Sequence, residues 1–477
     1  MIEFGTGGWR AIIADGFTRE NVRLLSQGLA DRVWREHPGG REAAEKPIIA
    51  MGYDRRFLSR EATFWAAEVF AGNGIRCHVI DRPAPTPLVM FTTRELDCAY
   101  GMAVTASHNP ALYNGIKVFT RGGRDADAET TGELQTEINA VDASSVVAVE
   151  AGDGIASGLI DLHTSFNDYI DAIIEQVDMP AIRHAGLSIV LDPMFGVART
   201  CLETILVTAR CQVEVINDRR DTLFGGKLPS PNVDTLRFLR QTVLDRGADL
   251  GIGTDGDADR LGIIDDRGAF LHPNQILVLL YHYLLTVKGW KGPVVRNLAT
   301  THLLDRVAEA HGERCIEVPV GFKHISAGMD AHDAIIGGES SGGLTVRGHI
   351  PGKDGIYAAS LLVEALAVSG KKLSELYADI VAEYGSLEMV ETDFAFSQAR
   401  KVELQAQLME GHDLPTFSFP VEKVSWLDGC KVHFVGGGWT VIRFSGTEPV
   451  LRVFAEMASL DQAQQVVAEV TAYYGLG

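Results

Sequence analysis

The sequence predicts an α/β protein of three or four domains. Its 477 residues exceed what one hydrophobic core organises. Short apolar runs bounded by glycine and proline alternate with helical stretches, as a parallel sheet crossed by helices requires. The openings Ile48-Ile49-Ala50-Met51-Gly52-Tyr53-Asp54 and Ile189-Val190-Leu191-Asp192-Pro193 share a weak likeness that fits related units. With 46% apolar and 22% charged residues, the chain can bury substantial cores and does not read as disordered.

Taken in order, the glycine-rich opening Phe4-Gly5-Thr6-Gly7-Gly8-Trp9-Arg10 lets backbone amides approach an anion, with Arg10 adding a charge. A helix is expected from 18 to about 36, a strand over 47–54, and a second helix led in by Arg55, Arg56 and Ser59 and running to 73–74. A strand over 76–80 follows, then a proline-rich loop at 83–87 and another helix. The apolar run 99–104 reads as a buried strand, so Ser107 should sit on an exposed turn just past it, its hydroxyl offered to a cleft. With His108 beside it and Lys117 downstream, Ser107 is a candidate nucleophile with two candidate proton carriers; a plain Asn-Pro surface turn fits these residues equally well.

The small, polar stretch 141–154 places a boundary near residue 155. Beyond it come a helix from 166 to about 177, a strand over 187–192, and the buried strand Leu250-Gly251-Ile252-Gly253-Thr254, which ends in Asp255-Gly256-Asp257-Ala258-Asp259-Arg260. In an extended loop Asp255, Asp257 and Asp259 point the same way and can converge on one hard cation, with magnesium the best fit. An EF-hand would need glycine where Arg260 stands and a helix where a strand resumes. The Gly251-x-Gly253-x-x-Gly256 match to a dinucleotide loop leads into carboxylates that would repel a pyrophosphate. A third unit opens with a strand at 293–296 and a helix at 301–310; Lys323 follows a glycine turn, and Gly337-Gly338-Glu339-Ser340-Ser341-Gly342-Gly343 offers Glu339 and Ser341 to adjacent hydroxyls. After a helix over 356–368 and a boundary near 385, two strands flank Arg443-Phe444-Ser445-Gly446-Thr447-Glu448-Pro449, with Arg452 beyond. Backbone amides, two hydroxyls and two guanidiniums suit a phosphate.

Four of these segments, in this order and spacing, resemble the α-D-phosphohexomutases, the phosphoglucomutase/phosphomannomutase family. Residues 105–110 resemble the family's phosphoserine loop, 255–260 its metal loop, 338–342 its sugar-recognition loop and 443–452 its phosphate-binding loop. The opening segment is similar to one whose arginine, here Arg10, faces the active site, and 347–355 resembles a segment that adds His349 and Lys353 near the substrate. The resemblance implies three related mixed α/β domains plus a smaller C-terminal α+β domain around a central active-site cleft, divided as 1–155, 156–264, 265–384 and 385–477. It further implies a hexose 1-phosphate/hexose 6-phosphate mutase, an isomerase, with glucose the first substrate expected and mannose the second. Phosphorylated Ser107 would share Mg2+ with the three aspartates, and glucose 1,6-bisphosphate would be intermediate and activator. Arg443, Ser445, Gly446, Thr447 and Arg452 would clamp the sugar's phosphate, Lys323, Glu339 and Ser341 would contact the sugar, and Arg260 would stabilise transferred charge. A glucose-1,6-bisphosphate synthase and a phosphoglucosamine mutase are the alternatives within the family.

The net charge of −20 argues against nucleic acid and anionic membrane as general partners. Six scattered cysteines without CxxC pairs speak for a reducing compartment and against a zinc site. The N-terminus has no basic-then-apolar signal, and the longest apolar run, 276–285, is too short to span a bilayer. A cytoplasmic monomer or homodimer acting on a phosphorylated hexose is expected.

Overall fold

The structure is a computed structural model that describes residues 2–5, 8–444 and 450–476. The chain divides into two compact units, one of Met1–Ile276 with Ser341–Leu376 and the other of Leu277–Ser340 with Tyr377–Gly477.

In the first unit, helix Arg19–Glu36 starts where Thr18 Oγ1 accepts from the Asn21 amide, 3.2 Å away, satisfying one of the donors that a helix start leaves open. It packs with helix Ser59–Gly72 against an eight-stranded mixed sheet, and Val22, Leu25, Leu29, Met51 and Phe70 make its core. Strand Ile48–Tyr53 lies between Arg76–Ile80 and Tyr100–Val104, parallel to both, so their carboxyl ends and the loops that leave them share one edge. Tyr113–Thr120 returns antiparallel beside Tyr100–Val104, which lays Lys117 opposite Ala103 and next to the serine turn. The sheet runs past the boundary expected at 155, because Ile160–His163 pairs in parallel with Arg76–Ile80.

A second, five-stranded sheet in the same unit has Ser188–Asp192 and Leu250–Thr254 paired in parallel at its centre. Leu261–Ile264 then doubles back antiparallel to Leu250–Thr254, so residues 255–260 form a tight connection at the carboxyl end of a buried strand. Helix Gly355–Ser369, buried along most of its length, packs on helices Met179–Ala185 and Arg199–Thr208.

The second unit holds the parallel strands Cys315–Val318, Val294–Asn297 and Ile336–Gly338, and a five-stranded antiparallel sheet covered by helix Leu460–Tyr474. This C-terminal sheet has its own core, with Val432, Ile442, Val453, Val466 and Val470, in keeping with the smaller α+β domain expected. Within this unit a network of buried charge ties the two sheets together. Lys431 Nζ donates to the Leu298 carbonyl (2.7 Å) and Glu317 Oε2 (2.6 Å), and meets His302 Nε2 at 2.9 Å. Arg296 reaches both Asp305 oxygens at 2.9 and 3.0 Å and Glu317 Oε2 at 2.6 Å. Burial, then Arg296, hold the His302 imidazole down to about 3, so it is neutral and its Nε2 accepts from Lys431. Among the described residues no helix is long and apolar enough to cross a membrane.

Candidate active site

Ser107 is buried, 1% exposed, a correction to the exposed hydroxyl expected, while residues 108–111 of its turn stay partly exposed. The reason is a brace that the sequence does not announce. Arg56, in the loop after strand Ile48–Tyr53, sends Nη2 to the carbonyls of Ser107 and Asn109 (2.6 Å each) and Nη1 to those of Pro110 and Tyr113 (2.9 and 3.0 Å). A guanidinium presents its donors in a rigid fork, and here the fork fixes the path of the whole turn. Asp54 completes the frame: its Oδ1 accepts from the Arg56 amide and the Ser59 hydroxyl, and its Oδ2 accepts from Thr105 Oγ1 at 2.7 Å. Thr105 Oγ1 in turn accepts from the Ser107 amide at 2.8 Å. Held so, Ser107 adopts φ +49°, a left-handed backbone that costs a non-glycine residue energy and aims its hydroxyl.

The hydroxyl is aimed at the aspartates. Ser107 Oγ donates to Asp255 Oδ2 at 2.8 Å, joining residues 148 positions apart. The approach depends on Gly256, where a Cβ would come 2.8 Å from the Ser107 carbonyl oxygen. The aspartate loop is a turn and not the extended segment expected, with Ala258 at φ +61°, yet carboxylate oxygens of Asp255, Asp257 and Asp259 all lie within 4.8 Å of one another. All three side chains are buried.

How their oxygens are used decides what the cluster can do. Asp255 Oδ1 accepts from the Asp259 and Arg260 amides. Lys117 Nζ donates to Asp257 Oδ2 and Asp259 Oδ2, both at 2.7 Å; Thr86 Oγ1 adds a bond to Asp257 Oδ2 at 2.6 Å, and Lys353 Nζ stands 3.0 Å from Asp259 Oδ2. The remaining oxygens, Asp257 Oδ1 and Asp259 Oδ1, are buried and accept no hydrogen bond. Buried acceptors without partners are rare and expensive. Together with Asp255 Oδ2 they are an all-oxygen donor set of the kind a hard divalent cation takes, so the residues fit such an ion.

Charge follows the same pattern. Burial, then Asp259 and Asp257, push the Asp255 carboxyl well above its ordinary range. Burial works upward on Asp259 too, but Lys117, Lys353 and Arg260 hold it well below. Lys117 is pulled down by burial and up by Asp257 and Asp259, which prevail, so it stays protonated. His108 Nδ1 is 3.3 Å from Ser107 Oγ, and Arg260, then burial and Arg10, drive its pKa far down, leaving a neutral imidazole. Arg10, half-buried on strand Gly8–Ile12, lies within the field of Arg260, Asp257 and Asp259.

The structure thus brings together Ser107, His108, Lys117, the three aspartates, Arg260, Arg10 and Lys353 in the first unit. His349 does not join them: its ring is fully buried, Nε2 lies 2.6 Å from Asp354 Oδ2, Nδ1 3.3 Å from Gln176 Nε2, and the tilted Tyr357 ring lies 4.3 Å away. Its ring nitrogens are thus engaged by neighbours, where the resemblance implies a place near the substrate. Ser341 is exposed in the first unit.

In the second unit Glu339 Oε1 accepts from Asn297 Nδ2 and the Gly321 amide, both at 3.0 Å, while Lys323 sits partly exposed at the start of helix Phe322–His332. Arg443 and Arg452 stand directly opposite each other on paired strands. Like charges so placed repel, and only Arg443 has a close carboxylate, Asp428 Oδ2 at 2.8 Å; Arg452 Nε is 3.5 Å from Asp393 Oδ1. Ser445, Gly446 and Thr447 lie outside the described residues.

Sequence reasoning missed Arg56, Asp54 and Thr86. Position was the available signal: all three follow the carboxyl ends of parallel strands, where α/β sheets gather their functional loops.

Comparison with known proteins agrees with this arrangement. Profiles of the phosphoglucomutase/phosphomannomutase alpha/beta/alpha domains I, II and III match residues 1–145, 167–268 and 272–384, and that of the C-terminal domain matches 424–472. A phosphoglucomutase/phosphomannomutase of Thermococcus kodakarensis is 30% identical over 97% of this chain and 96% of its own. A phosphoglucosamine/phosphogalactosamine mutase of Sulfurisphaera tokodaii is 28% identical over 98% and 97%. Among solved structures, a Thermus thermophilus protein provisionally named a phosphomannomutase superposes with a TM-score of 0.84 at 28% identity, covering 99% of both chains. With all four domain profiles matched in order and a 30%-identical relative spanning nearly its whole length, the chain belongs to the phosphoglucomutase/phosphomannomutase family, the α-D-phosphohexomutases, which are isomerases.

Proposed function

We propose that the protein interconverts hexose 1-phosphate and hexose 6-phosphate through a phosphoserine at Ser107 and a hexose 1,6-bisphosphate, with glucose phosphate as the first candidate substrate. The observation that carries this reading is the Ser107 hydroxyl 2.8 Å from Asp255 beside two orphaned carboxylate oxygens. Asp255, Asp257 and Asp259 would hold Mg2+, which when bound neutralises charge on the phosphoryl group in transit.

The chain's own residues do the rest. The Arg56 brace fixes Ser107 so that its Oγ–P bond can align with an incoming sugar hydroxyl. That hydroxyl's oxygen forms the new bond to phosphorus as the Oγ–P bond breaks. Its proton passes to a base, for which neutral His108 is a candidate, and the departing Ser107 Oγ takes a proton from an acid, for which protonated Lys117 is suited. Arg260 and Arg10 would supply positive charge to the equatorial phosphoryl oxygens, which carry the negative charge of the group in transit. In the second half-reaction the other phosphate of the bisphosphate meets Ser107 and the transfer runs backward. Arg443 and Arg452, whose mutual repulsion an anion would relieve, would grip the phosphate that is not reacting, with Ser445, Gly446 and Thr447; Lys323, Glu339 and Ser341 would contact the sugar.

A phosphoglucosamine mutase is the second reading, favoured by the Sulfurisphaera relative. Rates on glucose 1-phosphate, mannose 1-phosphate and glucosamine 1-phosphate with Mg2+, beside Ser107→Ala, test both. A parental rate in that variant would end the covalent reading, and a preference for glucosamine 1-phosphate would replace the first substrate with the second. Net accumulation of bisphosphate from another phosphoryl donor would instead identify a glucose-1,6-bisphosphate synthase.

A further inference from the structure

Among the described residues one other group of metal-ligating side chains converges, in the first unit and with a different chemistry. His78 lies on strand Arg76–Ile80, and Asp161 and His163 on Ile160–His163 at the edge of the sheet. The strands are parallel and pair His78 with Asp161 and Ile80 with His163. Asp161 and His163 are two apart and so share a face, and pairing puts His78 on that face too. The register alone therefore gathers two imidazoles and a carboxylate.

His78 Nδ1 is 3.0 Å and His163 Nδ1 3.8 Å from the same oxygen, Asp161 Oδ2, and the two rings lie 5.1 Å apart. The longer distance is beyond a hydrogen bond, so surface pairing with Asp161 accounts for His78 and leaves His163 Nδ1 aimed at an oxygen it does not bond. Tetrahedral coordination with bonds of about 2.0–2.1 Å sets ligand atoms roughly 3.3 Å apart, between the two distances observed. With 21%, 53% and 26% of their side chains exposed, the two histidines are half-buried and Asp161 is exposed, so the group is open to an ion from solvent.

We propose that His78, Asp161 and His163 form a binding site for a divalent first-row transition ion of the zinc class, separate from the all-oxygen site at the aspartate loop. Two imidazole nitrogens and one carboxylate oxygen select such ions over magnesium and calcium, which prefer oxygen throughout. The protons of the two imidazoles sit on Nε2 when the ion is bound, leaving both Nδ1 lone pairs free for it. Three protein ligands leave a coordination position for water or a small anion, the mark of an exchangeable site. The ion also clips the edge strand, which has a single neighbour in the sheet, to residues some eighty positions earlier in the chain.

The test uses full-length, untagged protein in millimolar Mg2+, which occupies oxygen sites, titrated with Zn2+ by calorimetry and with Co2+ as a spectroscopic probe. One equivalent of Zn2+ is expected to bind in the micromolar range or tighter, and Co2+ to give the visible absorption of a nitrogen- and oxygen-ligated ion. Asp161→Asn, which keeps the side chain's shape, and His163→Ala are each expected to weaken binding by about tenfold or more while mutase turnover in Mg2+ is unchanged. Absence of Zn2+ uptake in the parent, or uptake that persists undiminished in Asp161→Asn and in the His78→Ala/His163→Ala pair, overturns the proposal. Circular dichroism shows that each variant is folded, and Asp161→Asn alone decides the matter if a histidine variant is not.

Discussion

The two units each bury a cluster of lysine and carboxylate, and the clusters differ in what is left over. In the second unit Lys431, Arg296, Glu317 and Asp305 hold one another, with the Leu298 carbonyl and His302 taking the remaining bonds, and none of their side-chain nitrogens or oxygens is a buried atom without a partner. In the first unit Lys117 and Lys353 reach only one oxygen each of Asp257 and Asp259, and the others accept no hydrogen bond, with Arg260 Nε 3.7 Å from Asp259 Oδ1. Burial of charge alone does not mark a reactive site. Unused coordinating capacity does, because a closed network stabilises only itself whereas an open one has an energetic reason to take a ligand.

The sharpest test of that contrast removes the group the open cluster serves. Ser107→Ala should lower turnover by about 10^4 or more with an unchanged melting temperature, and phosphoserine should vanish from the intact-mass spectrum. Next, Asp255→Asn should weaken the apparent Mg2+ affinity by roughly 100-fold, yet leave chelator-treated protein within about 1 kcal/mol of the parent, since burial and the neighbouring Asp259 and Asp257 already favour the neutral form there. A large loss of stability in the chelated variant would show that this cluster, too, is structural.

Arg56→Lys should cost about 2–4 kcal/mol and lower kcat more than it raises KM, because a lysine cannot hold four carbonyls at once; denaturant unfolding and steady-state kinetics check it. Glu317→Gln should cost a similar roughly 2–4 kcal/mol, by stranding Lys431 and Arg296, while leaving Mg2+ affinity untouched.

The smallest effect is a pH slope. Burial works to raise the Glu317 carboxyl, but His302, Lys431 and Arg296 hold it well below the ordinary range, while burial and Arg296 bring Lys431 down to about 8. The partners shift unequally, yet both stay charged at neutral pH. A depressed carboxylate contributes stability above its unfolded value near 4.5 that is lost as pH falls toward the folded value. Unfolding free energy should therefore decline below about pH 4.5, and Glu317→Gln should flatten that decline. An identical slope in parent and variant would count against the pairing.

The central elements were largely legible, because their strands are short apolar runs between breakers, whereas polar edge strands such as Val421–Ser425 gave no such signal. Leu250–Thr254 shows the apolar case plainly, bounded by Asp249 and Asp255 and fully buried. The chemistry proposed for Ser107 and the aspartates came from the family resemblance, since residue type and spacing alone left a plain surface turn equally open. What stayed hidden needed distance: Ser107 is buried by Arg56 from another loop, and the oxygens without a hydrogen bond appear only once Lys117 has taken their neighbours. His349 shows the limit, because a histidine in a plausible segment does not say whether its nitrogens are free; Asp354 and Gln176 engage them.

The left-handed backbone at Ser107 has an evolutionary corollary. Glycine is the residue that conformation favours, and substituting it would relax roughly 1 kcal/mol of strain while deleting the hydroxyl. If Ser107 is the nucleophile proposed, durability and turnover pull in opposite directions at a single codon, and a screen that rewards folding alone would drift toward an inert protein at this position.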